Sequence, residues 1–163
     1  MSLKKLIGFV LAMICCSTHL LAAGKITAAQ IREVMAAADL ASQQRDTQGI
    51  GACLGTKFFK YIDVPMDKLP ATARIEKDQY LGLIERGWSR IQNYAYQRKD
   101  VVVNVAPDGL SGESASTVIE TFTVDGKETV SKVREYARYE LEDGRPVIVT
   151  VQTQTLVGDS TPE

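Results

Sequence analysis

At 163 residues and a formal net charge of −1, the chain carries no basic footprint of the kind that phosphate binding requires, so nucleic acid is excluded as its main partner. Its only histidine, His19, and two of its three cysteines, Cys15 and Cys16, fall in an N-terminal segment that reads as a targeting peptide. Without that segment the chain cannot run a Ser-His-Asp or Cys-His mechanism, build a zinc site of the usual kind or close an internal disulfide. Cys53 remains, within the apolar run Ile50-Gly51-Ala52-Cys53-Leu54, where cysteine packs as a small hydrophobe.

The targeting signal is composed in order. Lys4 and Lys5 supply a positive start, Leu6 to Cys16 is apolar, and Ala22-Ala23 provides small residues for cleavage before Gly24. The apolar run is shorter than the roughly 20 residues a membrane span needs. A periplasmic or secreted protein is expected, with an uncleaved N-terminal anchor in the inner membrane as the alternative. Cleavage removes residues 1–23 and leaves no stable membrane span. About 140 residues remain, enough for one domain with its own core.

The first helix is predicted from Thr27, where Thr27-Ala28-Ala29-Gln30 fits a capping box. Ile31, Val34, Met35, Ala38 and Ala41 then recur at helical spacing. Asp46 opens a second, short helix to about Leu54, weakened by Gly49 and Gly51. Phe58 to Val64 reads as a strand ending at Pro65, and Pro65 to Thr72 as a surface loop. A third helix is expected from about Ile75 to Ile91, with Tyr80, Ile84, Trp88 and Ile91 along one face. On that spacing Trp88 is a core residue.

From Asn93 to Val157, three Asp-Gly dipeptides separate runs of β-favouring residues: Asp108-Gly109, Asp125-Gly126 and Asp143-Gly144. Asp-Gly between such runs marks a tight hairpin, because glycine accepts the positive φ that the turn needs. The expected product is a four-stranded antiparallel meander with strands of about 12 residues, or roughly 40 Å. Strands of that length twist and curve, and the helices must cover the concave side. Residues 158–163 read as a flexible tail after a single domain spanning 24–157.

Turn chemistry sets the register. A two-residue turn at Asp125-Gly126 pairs Val124 with Lys127 and brings Val118 opposite Val133. At the last turn, a three-residue loop pairs Leu141 with Arg145 and Tyr139 with Val147, and it keeps Gln152 and Gln154 out of the core. Val133, Ala137, Tyr139 and Leu141 then face inward, and Lys132, Arg134 and Arg138 form an outer basic stripe with Glu113 opposite Arg138. Two acids also turn inward: Glu135 beside Ser116 and Val151, and Glu120 beside Ser131. A carboxyl group at a wet sheet rim is unremarkable; one in an apolar concavity can orient or deprotonate a ligand. Tyr94, Tyr96 and Arg98 share a face of the first long strand, just after Trp88. The pocket candidates are therefore Trp88, Tyr94, Tyr96, Glu120, Glu135 and Tyr139. Gly49-x-Gly51 lacks the preceding strand and the downstream glycine of a nucleotide loop, and no cofactor or metal is expected.

Two N-terminal helices, a short strand, a third helix and a long meander, with an alanine-rich first helix, an Arg45-Asp46 break and Asp78-Gln79-Tyr80-Leu81 opening helix three, resemble the NTF2-like superfamily. That α+β cone is shared by the nuclear transport factor, ketosteroid isomerases and SnoaL-like polyketide cyclases. The resemblance implies a ligand pocket inside the cone. Enzymes of the superfamily place Asp or His there; this chain departs from them in lacking histidine, and no catalytic residue carries over. A cystatin-like sheet wrapped on one helix is the alternative fold. The functional expectation is an exported envelope protein, a non-catalytic binding or accessory module for a small apolar or amphipathic ligand. The alternatives are an acid–base enzyme of isomerase, cyclase or dehydratase type using a pocket carboxylate, and an assembly protein that forms a homodimer through its sheet.

Overall fold

The computed structural model describes residues 24–64 and 71–157; the targeting segment, most of the expected loop after Pro65 and the C-terminal tail lie outside them. Helix α1 (Ala28–Gln44) starts at the expected capping box, with Thr27 and Gln30 exchanging bonds. It ends on Arg45 in the left-handed conformation, at φ 54°. Its Ile31, Met35, Ala38 and Ala41 are buried. Helix α2 (Thr47–Cys53) is short, and its Ile50 and Cys53 close the core from the other side. Burial pushes the Cys53 thiol up, which keeps it protonated and inert.

Strand β1 (Leu54–Val64) begins four residues earlier than the sequence suggests. Strand β2 (Ala71–Glu76) takes up residues expected to be loop and helix. Helix α3 (Lys77–Trp88) is correspondingly shorter. Strands β3 (Gln92–Val105), β4 (Ser111–Val124), β5 (Lys127–Glu142) and β6 (Arg145–Val157) are the expected meander. The sheet has six strands, the four of the expected meander with β1 and β2 added at one edge, in the order β2-β1-β6-β5-β4-β3. Strand β1 pairs parallel to β6 and antiparallel to β2, so the sheet is mixed.

The β4–β5 register is the expected one, with Val124 opposite Lys127, Val118 opposite Val133, Glu120 opposite Ser131 and Ser116 opposite Glu135. The last hairpin corrects the sequence reading. Asp143 and Gly144 form a two-residue turn with φ of 52° and 77°, so Glu142 pairs Arg145 and Leu141 pairs Pro146. A bulge then falls between Arg138 and Tyr139: Tyr139 pairs Ile148 and Arg138 pairs Thr150, leaving Val149 as the extra residue. That residue reverses the alternation of β6. Val151 and Thr153 come to the inner face, opposite Ala137 and Glu135, and Gln152 and Gln154 stay outside. The polar residues avoid the core as expected, through a bulge in place of a longer loop.

Strand β3 bends at two irregularities, each holding a non-glycine residue in the left-handed region: Asn93 at φ 49° and Asp100 at φ 53°. These kinks wrap the sheet around α1. The outer face carries Lys132, Arg134 and Arg138 as read from the sequence. Arg138 pairs with Glu140 at 3.2 Å, although Glu113 is its cross-strand neighbour.

Candidate functional site

The cone interior holds a cavity of about 220 Å³. Ala38 and Ser42 of α1, Ile50 of α2, and Tyr80, Ile84 and Trp88 of α3 roof it. Its floor is the inner face of the sheet, with Phe58 and Lys60 from β1, Tyr94, Tyr96 and Arg98 from β3, Val118 and Glu120 from β4, Val133 and Glu135 from β5, and Val151 and Thr153 from β6. A larger depression of about 600 Å³ lies outside, between α1, α2 and the β5–β6 turn. It is an open groove, and its lining gathers no ring of aromatic and paired charged groups. The cone interior is the place where chemistry-bearing side chains converge.

Five of the six sequence candidates line this cavity. Trp88 is half-buried rather than fully buried, because α3 buries no residue completely and sits at the rim. It meets the Tyr94 ring edge-on at 6.1 Å between centroids. The Tyr94 hydroxyl donates to Glu120 Oε1 at 2.6 Å. Burial, reinforced by the Glu120 carboxylate, pushes that phenol far up, so Tyr94 remains a neutral donor. Tyr139 is a correction. It is 1% exposed, lies outside the cavity lining and shares a hydrogen bond with Ser114 at 3.1 Å.

Glu135 also departs from its expected setting. It does not sit alone among apolar neighbours: Arg98 Nη1 donates to Glu135 Oε1 at 2.8 Å and to Ser116 Oγ. The same guanidinium binds Asp39 Oδ1 through Nε at 2.8 Å, and Tyr96 Oη through Nη2 at 2.8 Å. Tyr96 in turn donates to Asp39 Oδ1 at 2.9 Å. One Arg side chain, 10% exposed, thus ties α1 to β3, β4 and β5. Burial alone would lower the Arg98 pKa, but Glu135, Tyr96 and Asp39 outweigh it and hold the cation firmly. Burial raises the Tyr96 phenol as well, against the pull of Arg98.

The sequence reading missed Lys60 and Asp39. Lys60 enters the cavity from β1, with its ammonium 5.0 Å from the centroid of the Tyr80 ring. Burial would deprotonate it; Tyr80, Glu135 and Glu120 override burial and raise its pKa. It is therefore a fixed cation and no base at neutral pH. Among the described residues it takes no part in an ion pair, those being Arg98–Asp39, Arg98–Glu135 and Arg138–Glu140. The available signal was period-2 alternation through Phe58 and Lys60, which puts both on one face, but a lysine in a strand reads by default as solvated.

No known family model matches the chain, and no curated protein matches it in sequence. Solved structures match it in shape. An NTF2-like protein from Cytophaga hutchinsonii superposes with a TM-score of 0.62 at 13% identity, over 77% of this chain and 95% of its own. The fold is the NTF2-like cone. A hexachlorocyclohexane dehydrochlorinase, LinA-type3, from Novosphingobium barchaimii superposes with a TM-score of 0.63 at 10% identity, over 79% of this chain and 86% of its own. A protein of unknown function from Mycobacterium tuberculosis gives 0.61 at 12%, over 78% and 70%. The NTF2-like cone therefore holds both enzymes and proteins without an assigned reaction, and the site has to decide between those roles.

Proposed function

We propose that this NTF2-like protein is an exported, non-catalytic module that holds a small amphipathic ligand inside its cone. One observation carries the binding role: each cavity carboxylate is oriented by a protein donor, Glu135 by Arg98 and Glu120 by Tyr94. A general base needs a lone pair aimed at a substrate proton. Arg98 turns Glu135 to the guanidinium, and Tyr94 holds one oxygen of Glu120. What remains is a fixed polar floor under an aromatic and aliphatic wall, the usual composition of a binding pocket. Export rests on Lys4, Lys5, the run Leu6 to Cys16 and Ala22-Ala23; N-terminal sequencing of the mature protein is expected to begin at Gly24, and Met1 or Ser2 would favour the anchor.

The binding role is tested by amide chemical-shift mapping against a small-molecule extract of the native envelope. Shifts centred on Lys60, Tyr94, Glu120 and Glu135, with the bound compound recovered unchanged, are expected. Recovery of a chemically altered compound would overturn the role in favour of acid–base catalysis. The short Tyr94–Glu120 bond supports that second reading, since it places a donor and an acceptor side by side at the cavity wall.

A further inference from the structure

Among the described residues, the charged groups lining the cavity are two cations, Lys60 and Arg98, and two anions, Glu120 and Glu135. They are not equally available. Arg98 is shared between Glu135 and Asp39, each at 2.8 Å, with Asp39 outside the lining. Lys60 and Glu120 stand on β1 and β4, three strands apart in the sheet order and roughly 14 Å along it at about 4.8 Å per strand. Curvature turns both toward the same space. Among the described residues neither is in an ion pair. Lys60 offers a donor, and Glu120, whose Oε1 accepts from Tyr94, keeps its second oxygen as an acceptor at the same small volume.

We infer that the cavity selects a neutral, single-ring ligand bearing a primary amide or hydroxyl group, which accepts from Lys60 and donates to Glu120. The inference rests on the binding role proposed above and adds the ligand's charge and size. Size follows from the volume: an apolar cavity of about 150 Å³ admits a benzene-sized ring, so 220 Å³ takes one ring with a polar substituent. Tyr80, Trp88 and Tyr94 supply the wall for that ring. Charge follows from balance. A ligand carboxylate gains Lys60 and faces Glu120; a ligand ammonium gains Glu120 and faces Lys60. Either ion sets a like charge beside one of the two side chains, and like charges at close range are strongly disfavoured. An amide or hydroxyl group satisfies both side chains and adds no charge.

Benzamide, benzoate and benzylammonium share a ring and differ in charge at pH 7. Titrating each into the full-length mature protein, read from the Trp88 emission and from the amides of Lys60 and Glu120, is expected to rank benzamide at least about tenfold tighter than either ion. Lys60→Met is expected to bring benzylammonium up relative to benzoate, and Glu120→Gln to do the reverse. An ionic probe that binds as tightly as benzamide at those amides overturns the charge selection and leaves the binding role standing. Failure of all three probes while an envelope extract still shifts the cavity amides overturns the ligand class. Failure of the extract as well removes both. The ranking on the unmodified protein decides the matter even where a variant does not fold.

Discussion

The guanidinium of Arg98 on β3 and the carboxylate of Glu135 on β5 meet at 2.8 Å across the intervening strand β4. The side chains are 10% and 16% exposed, so the pair is largely removed from water. Such a pair is costly to build and costlier to break, because removing one partner strands the other charge. Arg98→Met leaves both Glu135 and Asp39 uncompensated and is expected to cost about 3–5 kcal/mol in urea melts. Arg98→Met with Glu135→Leu is expected to recover part of that loss. A single variant as stable as the parent would show that the network carries no structural load.

Gly112 on β4 tests how closely α1 is seated. A Cβ built there meets Ile31 Cδ1 directly and Asn104 O at 3.2 Å, and Ile31 is fully buried. Gly112→Ala is expected to destabilise by about 1–3 kcal/mol through overpacking. Combining it with Ile31→Val, which removes the opposing methyl, is expected to cost less than the two changes summed. Strict additivity would place the clash elsewhere.

The fold should lose stability at alkaline pH in part through Tyr139. Burial pushes its phenol up to about 12, moderated by the Ser114 bond. A raised folded pKa means the folded state keeps its proton after the unfolded chain has lost it at about 10. This contribution is fully present below pH 10 and disappears as pH rises through about 12. Tyr139→Phe is expected to cost about 1 kcal/mol at neutral pH through the lost hydrogen bond. It should also flatten the fall in urea midpoint above about pH 10. Tyr94 and Tyr96, raised in the same direction, should keep some of that fall in place. An unchanged alkaline limb would show that Tyr139 titrates as in the unfolded chain.

At acid pH the sign reverses for Glu142. Its carboxylate accepts from Thr56 Oγ1 at 2.7 Å and from Thr56 N at 3.0 Å, fastening the start of β1 to the end of β5. The Thr56 bonds hold its pKa below the ordinary 4.5. The stabilisation is present above 4.5 and is lost as pH falls through the lowered folded value. Glu142→Gln is expected to cost under about 1 kcal/mol at neutral pH, since water screens the site. The difference between parent and variant should vanish in acid; a difference that persists there would assign it to packing.

Local chemistry made the meander legible. Asp125-Gly126 and Asp143-Gly144 both adopt the left-handed turn that their residues favour, and the first fixes the whole β4–β5 register. The bulge at Val149 was not legible, because an extra residue in the turn and one in the strand hide the same glutamines. Strand β2 escaped notice because Ala71, Ala73 and Arg74 carry little β preference; its pairing with β1 decides it. The site was half legible for a similar reason. Tyr94, Tyr96, Glu120 and Glu135 sit on strands joined by short turns, so counting residues brings them together. Lys60 and Asp39 reach the cluster only through the parallel β1–β6 pairing and the docking of α1, which no turn announces.

The proposed function requires that the cone interior hold a ligand in the cell. Native mass spectrometry of the protein purified from its own envelope tests it, with Val133→Phe as the comparison, since Val133 lines the cavity and a larger ring there would fill it. The parent is expected to carry a small non-covalent mass that Val133→Phe lacks. A parent that flies at its bare polypeptide mass, or an identical adduct on both proteins, would contradict it.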